Sequence, residues 1–153
     1  MRAVVAVAGQ LPLDPAIRPR GRVPLLEVYG TADPIAPFNT GQPQPPGRGP
    51  QGPTPTLSTP ETVAAFVSRA VGAVSHEGPT EVDPDPADGT RVRIERWVDG
   101  AGTVAVLLAV VDGGHTWPSA RGQFSGGGFG LISQNIDASA DTIAFILDPD
   151  AVG

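Results

Sequence analysis

Apolar residues in this chain fall into runs of different period, and the period predicts the elements. Ala3 to Ala8 is continuously apolar, rich in valine, and stops at Gly9. Val23 to Tyr29 is a second such run, with Pro24 near its start. Unbroken runs of this length suit strands buried on both faces, as in a parallel sheet, and proline is tolerated at a strand's start. Val63, Phe66, Val67, Ala70, Val71 and Val74 recur instead at helical spacing, one stripe of an amphipathic helix with Arg69 off it. Ser58-Thr59-Pro60-Glu61 starts that helix: Thr59 can cap, Pro60 suits the first helical position, and Ser58 with Glu61 has capping-box spacing. Val92 to Val98 and Thr103 to Val111 flank Asp99-Gly100-Ala101-Gly102, a hairpin signal. The first arm carries Arg91, Arg93, Glu95 and Arg96 and reads as an edge strand; the second is apolar throughout and reads as an inner one. Ile136 to Leu147 predicts a short closing helix, capped by Asp137 or Ser139, with Ile143, Ile146 and Leu147 on one face.

The stretches between these runs are punctuated by turn residues. From Asn39 to Pro60, prolines stand at 43, 45, 46, 50, 53, 55 and 60. Each removes an amide donor, so residues 39–57 are expected to be poorly ordered or extended loop, without helix or sheet. Ser75 to Asp88 is polar, acidic and turn-rich, and Gln123 to Ser133 is a glycine-rich loop. Strands alternating with helices predict an α/β layer fold over one domain, 1–153, with a mostly parallel sheet, an antiparallel hairpin strand and two flanking helices. Ligands in such sheets sit beyond the carboxyl ends of the strands.

Bulk composition narrows the function. At 153 residues the chain is long enough for a core of its own. A net charge of −6 argues against nucleic acid as a partner. No apolar run approaches the roughly 20 residues of a membrane span. The apolar run after Met1-Arg2 is shorter than the core of a typical signal peptide and reads as a strand. Cysteine is absent, which excludes disulfides, thiolate nucleophiles and Cys-ligated metals.

Two strand ends deliver candidate chemistry. Val23 to Tyr29 runs into Gly30-Thr31-Ala32-Asp33-Pro34, a turn that presents Asp33. Val110-Val111 runs into Asp112-Gly113-Gly114-His115-Thr116-Trp117-Pro118, a turn that presents His115. Strand, turn, Asp and then strand, turn, His is the order in which α/β-hydrolases present two members of a catalytic triad. In that arrangement His115 is the general base and Asp33 its orienter. Gly113-Gly114 let the backbone bend sharply at the strand end, and Trp117 and Pro118 stiffen the loop beyond. The bland alternatives are a loop histidine and ordinary turn chemistry at Asp-Pro.

The third member, a serine on a G-x-S-x-G elbow upstream of the aspartate, has no counterpart. Gln123-Phe124-Ser125-Gly126-Gly127 lacks the first glycine, follows the histidine and has no strand leading into it, so Ser125 reads as a loop serine. Ser58 and Ser139 read as caps, and Ser119 has no oxyanion turn. A metal site at His76, Glu77, Glu81, Asp83, Asp85 and Asp88 is disfavoured, because Pro84 and Pro86 break any cation-binding loop; this reads as a solvated acidic segment.

Gly30-Thr31-Ala32-Asp33-Pro34, Gly113-Gly114-His115-Thr116-Trp117-Pro118, and Asn135-Ile136-Asp137-Ala138-Ser139 with Ile143-Ala144-Phe145 resemble the poly(3-hydroxybutyrate) depolymerase and feruloyl esterase group of α/β-hydrolases. Ala3 to Leu11 looks like that family's strand and glycine turn shortly after the nucleophile helix. The resemblance covers nearly the whole chain but only the family's carboxyl-terminal half. It implies a partial α/β-hydrolase fold in which Asp33 is the triad acid, His115 the triad base and Trp117 a wall of the substrate pocket. It also implies an ester of a hydroxyalkanoate or aromatic acid as substrate, no cofactor, no metal and an extracellular location. The serine, its elbow and the oxyanion amides belong to the half not represented here. A cysteine that the family often carries after the helix matched by Val63 to Val74 has no counterpart either. Two further readings stay open: an acidic α/β binding module contacting a partner through its proline-rich segment or glycine loop, and a truncated reading frame with no function of its own.

Overall fold

The computed structural model describes residues 3–41, 55–119 and 128–153. They form one five-stranded sheet with a helix on each face. The strands are β1 (Val4–Val7), β2 (Leu25–Gly30), β3 (Ser75–Val82), β4 (Arg91–Asp99) and β5 (Gly102–Val111). The helices are α1 (Thr59–Val67) and α2 (Ala138–Leu147). The sheet order is β1-β2-β5-β4-β3.

The expected mostly parallel sheet is corrected to a mixed one. β1 and β2 are parallel, as are β2 and β5, but β5–β4 and β4–β3 are antiparallel, and β4–β5 carries the longest ladder. The difference comes from β3. Ser75 to Val82 has no apolar period and is exposed along its whole length, so it reads as loop in isolation. Backbone hydrogen bonding to β4 makes it a strand, with the register shifting between Glu77 and Thr80 around Gly78 and Pro79. It is therefore β3, not β4, that forms this edge, where proline is tolerated. The charges of β4 are met from β3: Arg91 Nε lies 3.1 Å from Glu81, and His76 Nε2 lies 3.0 Å from Glu95.

The two inner strands build the core. Along β2 and β5 alternate side chains enter opposite layers. Leu25, Tyr29, Ala105, Leu107 and Ala109 pack with Phe38 and with Val63 and Phe66 of α1. Leu26, Val28, Val106, Leu108 and Val110 pack with Val92, Val152 and Phe145 of α2. Two covered faces explain why both strands are apolar without alternation. One residue breaks the pattern: Glu27 is fully buried, and neither carboxylate oxygen has a hydrogen-bond partner among the described residues. Burial holds its carboxyl well above the usual range.

Both helices differ from their sequence patterns. Ser58, not Thr59, caps α1, and the box with Glu61 is complete in both directions. The helix ends at Val67, so Ala70, Val71 and Val74 lie beyond it; Gly72 adopts a positive φ of 81° there. The Val71 amide donates to Asp99 Oδ2 instead of continuing the helix. In α2, capped by Asp137, Phe145 and Ala138 face the sheet, while Ile143, Ile146 and Leu147 point to solvent. Residues 42–54 and 120–127, which include most of the proline-rich segment and Ser125, lie outside the described residues. At the far flank of the proline-rich segment, Thr56 bridges to Pro12.

Candidate active site

Gly30 and Val110 are register partners at the carboxyl ends of the parallel pair β2 and β5. The two turns that follow are therefore neighbours, and backbone bonds hold them together. The Thr31 amide donates to the Val110 carbonyl at 2.9 Å, and the Ala32 amide to the Gly113 carbonyl at 3.0 Å. A side-chain bond runs the other way, from the Asp112 amide to Thr31 Oγ1 at 3.0 Å.

These contacts bring Asp33 and His115 together across 82 positions, with His115 Nδ1 2.7 Å from Asp33 Oδ2. The Asp33 side chain is fully buried and that of His115 is 31% exposed. Asp33 Oδ1 accepts the amides of Ile35 and Ala36, each at 2.8 Å. The Tyr29 hydroxyl donates to the Ala36 carbonyl at 2.9 Å and ties the same turn to the core. An acceptor-only carboxylate beside Nδ1 favours the tautomer that carries its proton there. Nε2 is then a free acceptor, and it has no hydrogen-bond partner among the described residues. The bond to Asp33 raises the His115 pKa above the ordinary imidazole value; burial opposes this and the Asp33 charge adds to it.

The glycines before His115 act differently from the expected bend. Positive φ falls on Asp112, at 62°, and on neither Gly113 nor Gly114. What those glycines permit is close backbone approach. A Cβ on Gly114 would lie 2.0 Å from the Phe129 carbonyl oxygen and 2.5 Å from Gly130 Cα. Residues 129–131 clamp the histidine loop: the His115 amide donates to the Phe129 carbonyl, while the Gly114 amide and Thr116 Oγ1 both donate to the Leu131 carbonyl. The sequence signal for this clamp is only Gly130, whose φ of 87° needs glycine.

The other candidates are placed as follows. Trp117 is half exposed, and its indole Nε1 donates to Ser139 Oγ at 3.1 Å. Ser119 Oγ donates to the Ile136 carbonyl at 2.6 Å, and Ser58 is the α1 cap. Ser133 accepts from Thr90 and from the Asn135 amide. No described serine hydroxyl meets His115. Among the acidic residues singled out, Asp88 accepts from Thr90 and Gln134, and His76 stacks on Trp97 with ring centroids 4.5 Å apart. No described cluster of His and carboxylate side chains is arranged to hold a metal ion. No described helix is long and apolar enough to cross a membrane.

The chain is similar to a protein of Nocardia uniformis subsp. tsuyamanensis named "Putative esterase NocK", with 36% identity over 149 residues. The match takes in 94% of this chain and 43% of that protein, so the chain spans less than half the length of its curated relative. No protein-family model and no solved structure matches. The similarity supports an esterase relationship.

Proposed function

We propose that this chain is the carboxyl-terminal half of a serine carboxylic-ester hydrolase of the poly(3-hydroxybutyrate) depolymerase and feruloyl esterase kind. In this reading it supplies the triad acid, Asp33, and the triad base, His115, to a serine carried outside it. The observation that carries the reading is the 2.7 Å contact between His115 Nδ1 and a buried Asp33, with Nε2 left open. That is the geometry a triad histidine needs: the carboxylate fixes the tautomer, and Nε2 takes the hydroxyl proton as serine attacks an ester carbonyl. The same nitrogen then returns the proton to the leaving alkoxide, and Asp33 stabilises the imidazolium between the two transfers. Trp117, held by Ser139 beside the histidine loop, would wall the acyl or alcohol pocket. The esterase-named relative and the share of its length that the match leaves uncovered support the same assignment. An extracellular location is proposed on the family resemblance alone.

The test is a pair of assays with p-nitrophenyl and feruloyl esters. The chain alone is expected to match its His115→Ala variant. A general base accelerates only when the hydroxyl it deprotonates is held within hydrogen-bond reach, and no described hydroxyl lies on His115 Nε2. Fused behind a strand–G-x-S-x-G–helix half, it is expected to gain activity that a serine-directed phosphonate abolishes. A folded fusion that stays inert would overturn the assignment. Phosphonate-sensitive turnover by the chain alone would overturn the claim that the nucleophile lies elsewhere.

A further inference from the structure

A cavity of about 410 Å³ lies between α1 and the strand pair β4–β5, lined among others by Phe38, Val67, Leu107, Trp97 and Arg93. It runs along α1 from Pro60 to Val67, with Trp97, Arg93 and Glu95 of β4 on its other side. The size is that of a small-molecule site, and most of the wall is apolar. It is separate from the Asp33–His115 pair. Arg93, Glu95 and Trp97 are paired with Ala109, Leu107 and Ala105 along the body of β5, whereas His115 lies beyond that strand's carboxyl end.

Arg93 and Glu95 are the charged groups in this wall, and the Arg93 side chain is 39% exposed. Among the described residues the Arg93 Nε is buried without a hydrogen-bond partner, and its ionic contact to Glu95 Oε1 is 3.6 Å long, beyond hydrogen-bond range. Glu95 is engaged elsewhere, through its other oxygen, 3.0 Å from His76 Nε2. That histidine lies flat against Trp97 and fixes the indole at the cavity wall. A guanidinium pairs with carboxylates and phosphates alike, and a mostly apolar chamber that also holds Glu95 favours the less charged of the two: a carboxylate on a compact apolar body.

We propose that this cavity binds an apolar or aromatic monocarboxylate, its body against Phe38, Val67 and Trp97 and its carboxylate on Arg93. The site stands independently of the esterase reading, since it uses no residue of the Asp33–His115 pair.

The probe is 3-phenylpropanoate, compared with its neutral amide and with 3-phenylpropylamine. Indole fluorescence is read in a Trp117→Phe background, where Trp97 is the remaining tryptophan. The acid is expected to perturb Trp97 saturably, with a dissociation constant below about 1 mM, and to bind roughly tenfold tighter than the amide or the amine. Arg93→Gln is expected to remove that preference, and Ala64→Leu, which fills the chamber, to abolish binding with the far-ultraviolet spectrum unchanged. If Ala64→Leu fails to fold, Ser68→Leu at the lining serves the same purpose. The proposal is overturned if the amide or amine binds as tightly as the acid. It is equally overturned if Arg93→Gln binds the acid unchanged, or if no saturation is reached by about 10 mM.

Discussion

Gly30 and Gly114 lie so close that a Cβ on Gly30 would stand 2.3 Å from the Gly114 carbonyl oxygen. This contact joins the turn that carries Asp33 to the turn that carries His115. Gly30→Ala must push the two loops apart. A loss of stability of about 1–3 kcal/mol is expected, the usual cost of overpacking a tight site. His115 is also expected to lose its contact with Asp33. Urea titration together with the His115 ring signals in an NMR spectrum checks both.

Asp33 raises the proton affinity of His115. Asp33→Asn is therefore expected to lower the His115 titration midpoint, read from its ring signals in an NMR pH titration. A histidine raised in the folded state contributes stability that is full below its unfolded value, about 6.5, and is lost as pH rises through its folded value. The variant should flatten that part of the stability profile, read by thermal melts from pH 6 to 8.

Glu27 is buried with both oxygens unpaired among the described residues, and burial holds its carboxyl well above the usual range. Its protonated form belongs to the folded state. The stability it contributes is full below about pH 4.3 and is lost as pH rises through the folded value. Glu27→Gln, which cannot ionise, should gain on the parent protein as pH rises from 5 to 8. Glu27→Met should stabilise the fold at neutral pH by about 1–3 kcal/mol, the cost of an unpaired buried polar group. A parallel decline of parent and Gln variant with pH would rule out Glu27 as the source.

Arg22 grips Asp99 with two bonds, Nε to Oδ2 at 2.9 Å and Nη2 to Oδ1 at 3.0 Å, and also donates to the Gly102 and Thr103 carbonyls. Asp99 further accepts the Val71 and Ala101 amides. The Arg22 bond, then the Val71 amide, hold its carboxyl far below the ordinary range. That contribution is present above the unfolded value of about 3.9 and is lost as pH falls through the folded one. Asp99→Asn should lower the melting temperature at pH 7 and reduce the difference between pH 7 and pH 3. An unchanged acid limb in the variant would refute the clamp.

Ile143, Ile146 and Leu147 expose an apolar face on α2, and β1 is an edge strand. An open edge and a bare apolar face together favour association. The chain alone is expected to self-associate and to bind an apolar dye at tens of micromolar, and Ile143→Glu with Leu147→Glu to reduce both. Size-exclusion chromatography of a dye-negative monomer would contradict this.

Much of the site was legible in the chain itself. An unbroken apolar run can be buried on both faces, so β2 and β5 were readable from the local pattern alone, and the turns after them named Asp33 and His115 as candidates. The capping box at Ser58 and Glu61 and the turn after Asp99 were equally local. What local chemistry could not carry was decided by partners distant in sequence. Ser75 to Val82 has no apolar period and became a strand only because β4 offered a ladder, which turned the expected parallel sheet into a mixed one. The stripe after Val63 promised a longer helix, but the Asp99 carboxylate captured the Val71 amide. Tertiary packing chose Phe145 over Ile143 and Leu147 for the core. The register of β2 with β5 set the 2.7 Å between Asp33 and His115, because two turns share a strand end only when their strands are neighbours. The sequence by itself determined which residues could serve as acid and base; long-range backbone pairing alone determined that they meet.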